Sequence, residues 1–178
     1  MTSKTAKLDW AGLSTLQVPL KVLEGCTRPE IDVFKHEIKD LPAPLNTADL
    51  WLYCRSSWPH ADPDFEGSVF ITLAIQADHV YCQVIPGDQR VELGVFSGYL
   101  FVTDPMSLHW LAPSNDETNL GFIGLQWEVP HRQLGEKWAE LCAQLGQLGP
   151  VKPIWTQRID NILPPKGEYV GAPPSPVY

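Results

Sequence analysis

The sequence predicts a mainly β domain, a sandwich or barrel of short strands with two α-helices packed outside it. Three observations carry this. From Asp49 to Val129 the chain breaks into short runs rich in Val, Ile, Leu, Phe, Tyr and Thr, separated by the turn signals IPGD, SG, TDP and PSND. Its 17 prolines cut helices short and confine strands to edges and bends. At 178 residues, 44% hydrophobic and 19% charged, the chain is long enough for one domain with its own core.

Taken in order, residues 1–15 read as a lightly docked arm, and residues 16–23 (LQVPLKVL) as an edge strand, where Pro19 is tolerated. A helix is expected next: Thr27 caps it, Pro29 sits near its first turn, and Ile31, Phe34 and Ile38 share one face until LPAPLN stops it. Strands are expected at 49–56, 68–76, 78–85, 89–95, 98–103, 107–111 and 118–129. Their close spacing argues against alternating βαβ units. A second helix is expected at 132–148, where Leu134, Trp138, Leu141, Leu145 and Leu148 recur at steps of four and three. Residues 149–178 hold seven prolines and read as an extended tail that wraps the domain through Ile154, Trp155 and Ile159, then loosens after Pro164. The whole chain, 1–178, is then one domain: arm, edge strand and helix in 1–48, a β core in 49–129, a packing helix in 130–148 and the tail.

The formal net charge is -8, and between Asp40 and His131 only Arg55 and Arg90 carry fixed positive charge. Nucleic-acid binding rests on neutralising phosphates with a basic face, so a nucleic-acid partner is not expected. The four cysteines (Cys26, Cys54, Cys82, Cys142) lie far apart with no CxxC pair and read as reduced thiols. No run of about 18 apolar residues suits a membrane span, and the N-terminal stretch lacks an export signal, so a cytoplasmic protein with no membrane partner is expected.

Chemistry concentrates in Trp58-Pro59-His60-Ala61-Asp62. In extended backbone, residues two apart point the same way, so His60 and Asp62 can face one ion. His109 lies 47 residues beyond Asp62, in the strand SLHWL after the tight TDP turn. Two histidines and a carboxylate on one face of an octahedron leave three positions open, the arrangement of non-haem Fe(II) oxygenases. The alternatives are plain: ADPD as a turn in which Asp62 caps backbone donors, and His109 as a core histidine. Asp64 follows Pro63 and is a poorer ligand; His36 in the helix, and His79 and His131 beside turns, read as surface residues.

On these residues the chain resembles the 2-oxoglutarate/Fe(II)-dependent oxygenases, whose signature is HxD, several strands and a distal His. His60-Ala61-Asp62 matches the first part, and Ser97-Gly98-Tyr99-Leu100-Phe101-Val102-Thr103-Asp104-Pro105, leading to His109, matches the approach to the second. The resemblance covers about residues 49 to 129. It implies a double-stranded β-helix, of jelly-roll or cupin-like form, with His60, Asp62 and His109 holding Fe(II). It also implies 2-oxoglutarate as cosubstrate, with hydroxylation of a peptide or protein side chain or a small metabolite as the outcome.

One part of the family pattern is missing. Family members place an Arg or Lys on the strand after the distal His to pair with the far carboxylate of 2-oxoglutarate, a task suited to a bidentate guanidinium. Here no cation follows His109 until Arg132, and Thr118 and Asn119 stand where the anchor is expected. Arg55, Arg90 or Arg132 are the candidate substitutes, with Arg55 preferred because it lies near His60 and shares strand parity with Tyr53. Tyr53, Thr72 and Asn119 are candidate hydrogen-bond partners of the cosubstrate, or barrel-lining residues. Trp51, Trp58, Phe65, Trp110 and Trp127 line either a substrate mouth or the core. Two other classes compete: a cupin-type metal enzyme that needs no 2-oxoglutarate, and a non-catalytic β-barrel that binds or assembles with other proteins.

Overall fold

The computed structural model describes residues 15–26, 35, 36, 38, 41–85, 89–118, 120–154, 157 and 158. Their strands are β1 (Thr15–Gln17), β2 (Lys35–His36), β3 (Leu50–Cys54), β4 (Ser57–His60), β5 (Ser68–Gln76) and β6 (Asp78–Ile85). Then follow β7 (Gln89–Phe96), β8 (Tyr99–Thr103), β9 (His109–Pro113), β10 (Phe122–Pro130), β11 (Lys152–Ile154) and β12 (Gln157–Arg158). One α-helix, α1 (Leu134–Leu148), is present among the described residues. Every pairing is antiparallel. The strands form a seven-stranded sheet in the order β11-β1-β8-β5-β10-β3-β2 and a five-stranded sheet in the order β12-β7-β6-β9-β4.

The central pairings are nested: β3 with β10, β4 with β9, β5 with β8 and β6 with β7. The stretch from β3 to β10 is thus one long hairpin folded over, its successive pairs shared between the two sheets. The tight turn from β7 into β8 depends on Gly98, whose φ of +93° suits glycine. A side chain there would also meet the Val18 carbonyl at 2.8 Å.

Strand parity sorts the apolar residues into two cores. Val69, Ile71, Leu73 and Ile75 of β5 and Ile123, Leu125, Trp127 and Val129 of β10 face outward, where Leu134, Trp138, Leu141 and Leu145 of α1 cover them. The opposite parity, including Ala74, Phe101, Phe122 and Cys54, faces Tyr81, Leu93, Val95 and Leu111 across the space between the sheets. The seven-stranded sheet is therefore buried on both faces. That explains why SVFITLAIQ reads as a nearly continuous apolar run with no alternation.

Several expectations are corrected. The first helix does not form across Lys35–His36: these two residues pair with Leu52 and Trp51 and extend the seven-stranded sheet at the edge of β3. The backbone donors and acceptors of that edge outweigh the local helical pattern; Thr27, Pro29, Ile31 and Phe34 lie outside the described residues. The strand expected at 16–23 ends at Gln17, because Pro19 cannot continue the ladder, and Leu20–Leu23 turn into a 3-10 helix. The tail does dock, through β11 on β1 and β12 on β7, and Ile154 packs against the inner core. Trp155 and Ile159 lie outside the described residues. Among the described residues no helix is long and apolar enough to cross a membrane.

Candidate metal centre

His60 ends β4, a four-residue strand in the sequence SWPH. Pro59 has no N–H to give, so β4 sits at the edge of the five-stranded sheet. Among the described residues it pairs only with β9, through Ser57↔Leu111 and His60↔His109, with an irregularity between the two. His60 and His109 are therefore direct cross-strand neighbours, which places their side chains on one face. The ring centroids lie 4.4 Å apart. Two residues on, the Asp62 N–H donates to the Pro105 carbonyl at 2.7 Å, fixing the loop after β4 against the turn before β9.

The three side chains meet. Asp62 Oδ2 lies 3.8 Å from His60 Nε2 and 3.5 Å from His109 Nε2, and one donor atom from each residue falls within 4.8 Å of the others. Each ring is oriented by its other nitrogen. His109 Nδ1 donates to the Ser107 carbonyl at 2.8 Å, and His60 Nδ1 donates to the Trp58 carbonyl. With Nδ1 given to a carbonyl, Nε2 is the nitrogen left nearer the shared carboxylate and free to serve as a ligand atom; this is how metal-ligating imidazoles are held.

A single turn supports two of the three donors. Asp104 Oδ1 accepts from the Met106 N–H at 3.0 Å and Oδ2 from the Ser107 hydroxyl at 2.8 Å. The turn so fixed presents the Pro105 carbonyl to Asp62 and the Ser107 carbonyl to His109. Behind it, Gln83 Oε1 accepts from the Asp104 N–H at 3.2 Å and from the Tyr81 hydroxyl at 2.5 Å. Burial, with the Asp104 and Asp62 carboxylates adding to it, pushes the Tyr81 phenol well above its ordinary range, so it stays a hydrogen-bond donor.

The donors open onto a cavity of about 550 Å³ between the sheets. Its floor is the inner face of the seven-stranded sheet, with Phe70, Thr72, Phe101, Thr103, Phe122 and Gln126. Opposite stand Tyr81, His109 and Leu111, and the rim carries Trp58, Asp64 and Phe65. No Lys or Arg is among the described residues that line it.

Comparison with protein-family models, curated proteins and solved structures gives no match.

The other expected site residues are scattered. Thr72 lines the floor, where its hydroxyl accepts from Gln126 Nε2 at 3.3 Å. Leu52 and Cys54 face the cavity, so the two-residue period of β3 turns Tyr53 to the outer core. Arg55, of the same parity as Tyr53, is exposed and outside the lining, and its carbonyl accepts from His79 Nε2 at 2.9 Å. Arg132 is exposed in the 3-10 turn His131–Gln133, away from the cavity. The side chain of Arg90, and Asn119 as a whole, lie outside the described residues. Of the aromatic residues, Trp58, Phe65 and Trp110 border the cavity, whereas Trp51 and Trp127 belong to the outer core.

His79 is a buried residue and not a surface one: its Nδ1 accepts from the Asp78 N–H at 3.1 Å while Nε2 donates to Arg55. All four cysteines are free. Burial raises the Cys54 thiol to about 12, and burial, with Glu92 adding to it, does the same for Cys82. Both therefore remain protonated and unreactive. Sequence reasoning missed Tyr81, Gln83 and Gln126, and named Thr103 and Asp104 only as part of the approach to His109. Only the Asp104 turn left a local signal, TDP; the others depend on which way a strand faces.

Proposed function

We propose that the chain is a mononuclear non-haem metal enzyme, an Fe(II)-dependent oxygenase that oxidises an organic substrate held in the cavity between its sheets. The observation that carries this reading is the convergence of His60, Asp62 and His109, with both imidazoles turned so that Nε2 faces the carboxylate. Two neutral nitrogens and one carboxylate are the donor set that suits Fe(II) while leaving coordination positions open. The nested strand pairs support a double-stranded β-helix of the jelly-roll kind, in which such centres sit between the two sheets.

When bound there, Fe(II) would supply the dioxygen activation that the reaction needs. The remaining roles belong to the protein. Asp62 offsets part of the ion's charge. The Trp58 and Ser107 carbonyls hold the imidazole planes, so the donor set needs little rearrangement on binding. Trp58, Phe65, Phe70 and Phe101 limit water around the substrate, and Thr72, Thr103 and Gln126 offer it hydrogen bonds.

The resemblance implies 2-oxoglutarate as cosubstrate, and the described residues do not fit it. The ion can take its keto-acid end, but its far carboxylate meets no cation among the described lining residues. No step is assigned to it. That same feature favours a second reading, a cupin-type metal enzyme in which the substrate itself is the reductant of dioxygen.

The test is anaerobic loading with Fe(II) followed by nitric oxide, a spectroscopic stand-in for dioxygen. The electron-paramagnetic-resonance signal of an open Fe(II) site is expected from the wild type and not from His109→Ala. A wild-type protein that retains neither Fe(II) nor Mn(II) would refute the reading in favour of a binding module.

A further inference from the structure

We infer that the cavity selects small neutral substrates, with an aromatic or aliphatic body and one uncharged hydrogen-bonding group, and rejects any ligand carrying a second anionic group away from the metal. This deepens the proposed metal-centre reading and rests on it for the position of the reacting end. The first strand of support is charge. A divalent ion held by Asp62 leaves one net positive charge, enough for a single anionic donor at the metal itself. Beyond that point the floor is Phe70, Thr72, Phe101, Thr103, Phe122 and Gln126, with no cation among the described lining residues. Asp62 and Asp64 are the charged groups of that lining, and the chain as a whole carries -8. A carboxylate pushed into this space would be desolvated without a counter-charge.

The second strand is the set of polar groups the floor does offer. Thr72, Gln126 and Thr103 are 1%, 9% and 6% exposed, each at least nine-tenths buried, on three adjacent strands. Gln126 and Thr72 are direct register partners on β10 and β5, and Thr72 pairs with Phe101 on β8. Buried hydroxyls and an amide among phenyl rings suit one alcohol, ketone or amide of a ligand whose remaining surface is apolar. A volume of about 550 Å³ suits a compound of that size.

A ring series isolates the charge: benzamide, benzoate and terephthalate are neutral, mono- and dianionic on one scaffold. Their binding to the full chain, Mn(II)-loaded and metal-free, is measured by calorimetry, with 2-oxoglutarate as a fourth probe. Benzamide is expected to bind, and terephthalate and 2-oxoglutarate to bind roughly a hundredfold more weakly, the penalty of an unpaired buried charge. Gln126→Lys, or Thr103→Lys should the first not fold, is expected to recover most of that loss for terephthalate. Wild-type protein that binds the dianions as tightly as benzamide, or binds no neutral probe, overturns the inference. So does a folded lysine variant with no gain. Failure of the metal reading shows separately, as absence of Mn(II) uptake, because preference between benzamide and terephthalate can still be read in metal-free protein.

Discussion

At His60 and His109 the protein decides which imidazole nitrogen faces the shared carboxylate by giving Nδ1 the backbone carbonyl two residues earlier. The same ring chemistry serves a structural end at His79, where both nitrogens are occupied by backbone groups and the ring is buried. Burial lowers the His79 pKa, outweighing the opposite pull of the Arg55 carbonyl and of Asp78. The folded chain therefore keeps this ring neutral at pH values where the unfolded chain protonates it. Its contribution to stability is complete above the unfolded value of about 6.5 and is lost as pH falls through the lower folded value. Chemical denaturation of His79→Gln is expected to show a shallower loss of stability below about pH 6.5 than the wild type. Parallel pH profiles would contradict this. At this scale the sequence was partly legible. HxD and the distal His stood out as residues, but the burial of His79 did not, because a histidine beside a turn looks the same whichever way it faces.

Among the elements, the Asp104–Ser107 turn positions Asp62 and His109 together, so its side-chain bonds should be felt at the metal. Asp104→Ala is expected to weaken Mn(II) binding by about 10- to 100-fold, with Asp104→Asn recovering much of it because one acceptor oxygen remains. A thermal midpoint that drops while metal affinity stays at the wild-type value would instead make the turn merely structural. On α1, Leu141 is fully buried and Leu148 is 36% exposed. Leu141→Ala is expected to cost about 2–5 kcal/mol of stability. Leu148→Ala should cost under about 0.5 kcal/mol. Denaturant midpoints of the two variants check the pair. The apolar stripe of this helix was plain in the sequence, and so were the long central strands. β4 was not: four residues with a proline inside them carry no period, and only pairing with β9 makes them a strand. Lys35–His36 failed for the converse reason, a helical pattern overruled by an open sheet edge.

For the molecule as a whole, the fold's contribution is to bring His60 and His109, 49 residues apart in sequence, into one register pair, through nested pairings that run from β3 with β10 to β6 with β7. The scarcity of cations was visible in the composition and reappears as a cavity with none among its described lining residues. Which side chains line that cavity was hidden, because a sheet buried on both faces shows no alternation to assign parity; hence Tyr53 and Arg55 were expected inward, and Gln126 went unnoticed. Since the site is built in the folded state, metal should bind that state and stabilise it, by about 2.7 kcal/mol at a hundredfold excess over Kd. A thermal midpoint that rises with Mn(II) and falls back on chelation is the expected sign. The most direct test is iron stoichiometry after anaerobic loading and desalting, for the wild type and for His60→Ala, Asp62→Ala and His109→Ala, with circular dichroism to verify folding. One Fe(II) per wild-type chain and almost none in each folded variant is the expected result; full iron in all three variants, or none in the wild type, would contradict the account.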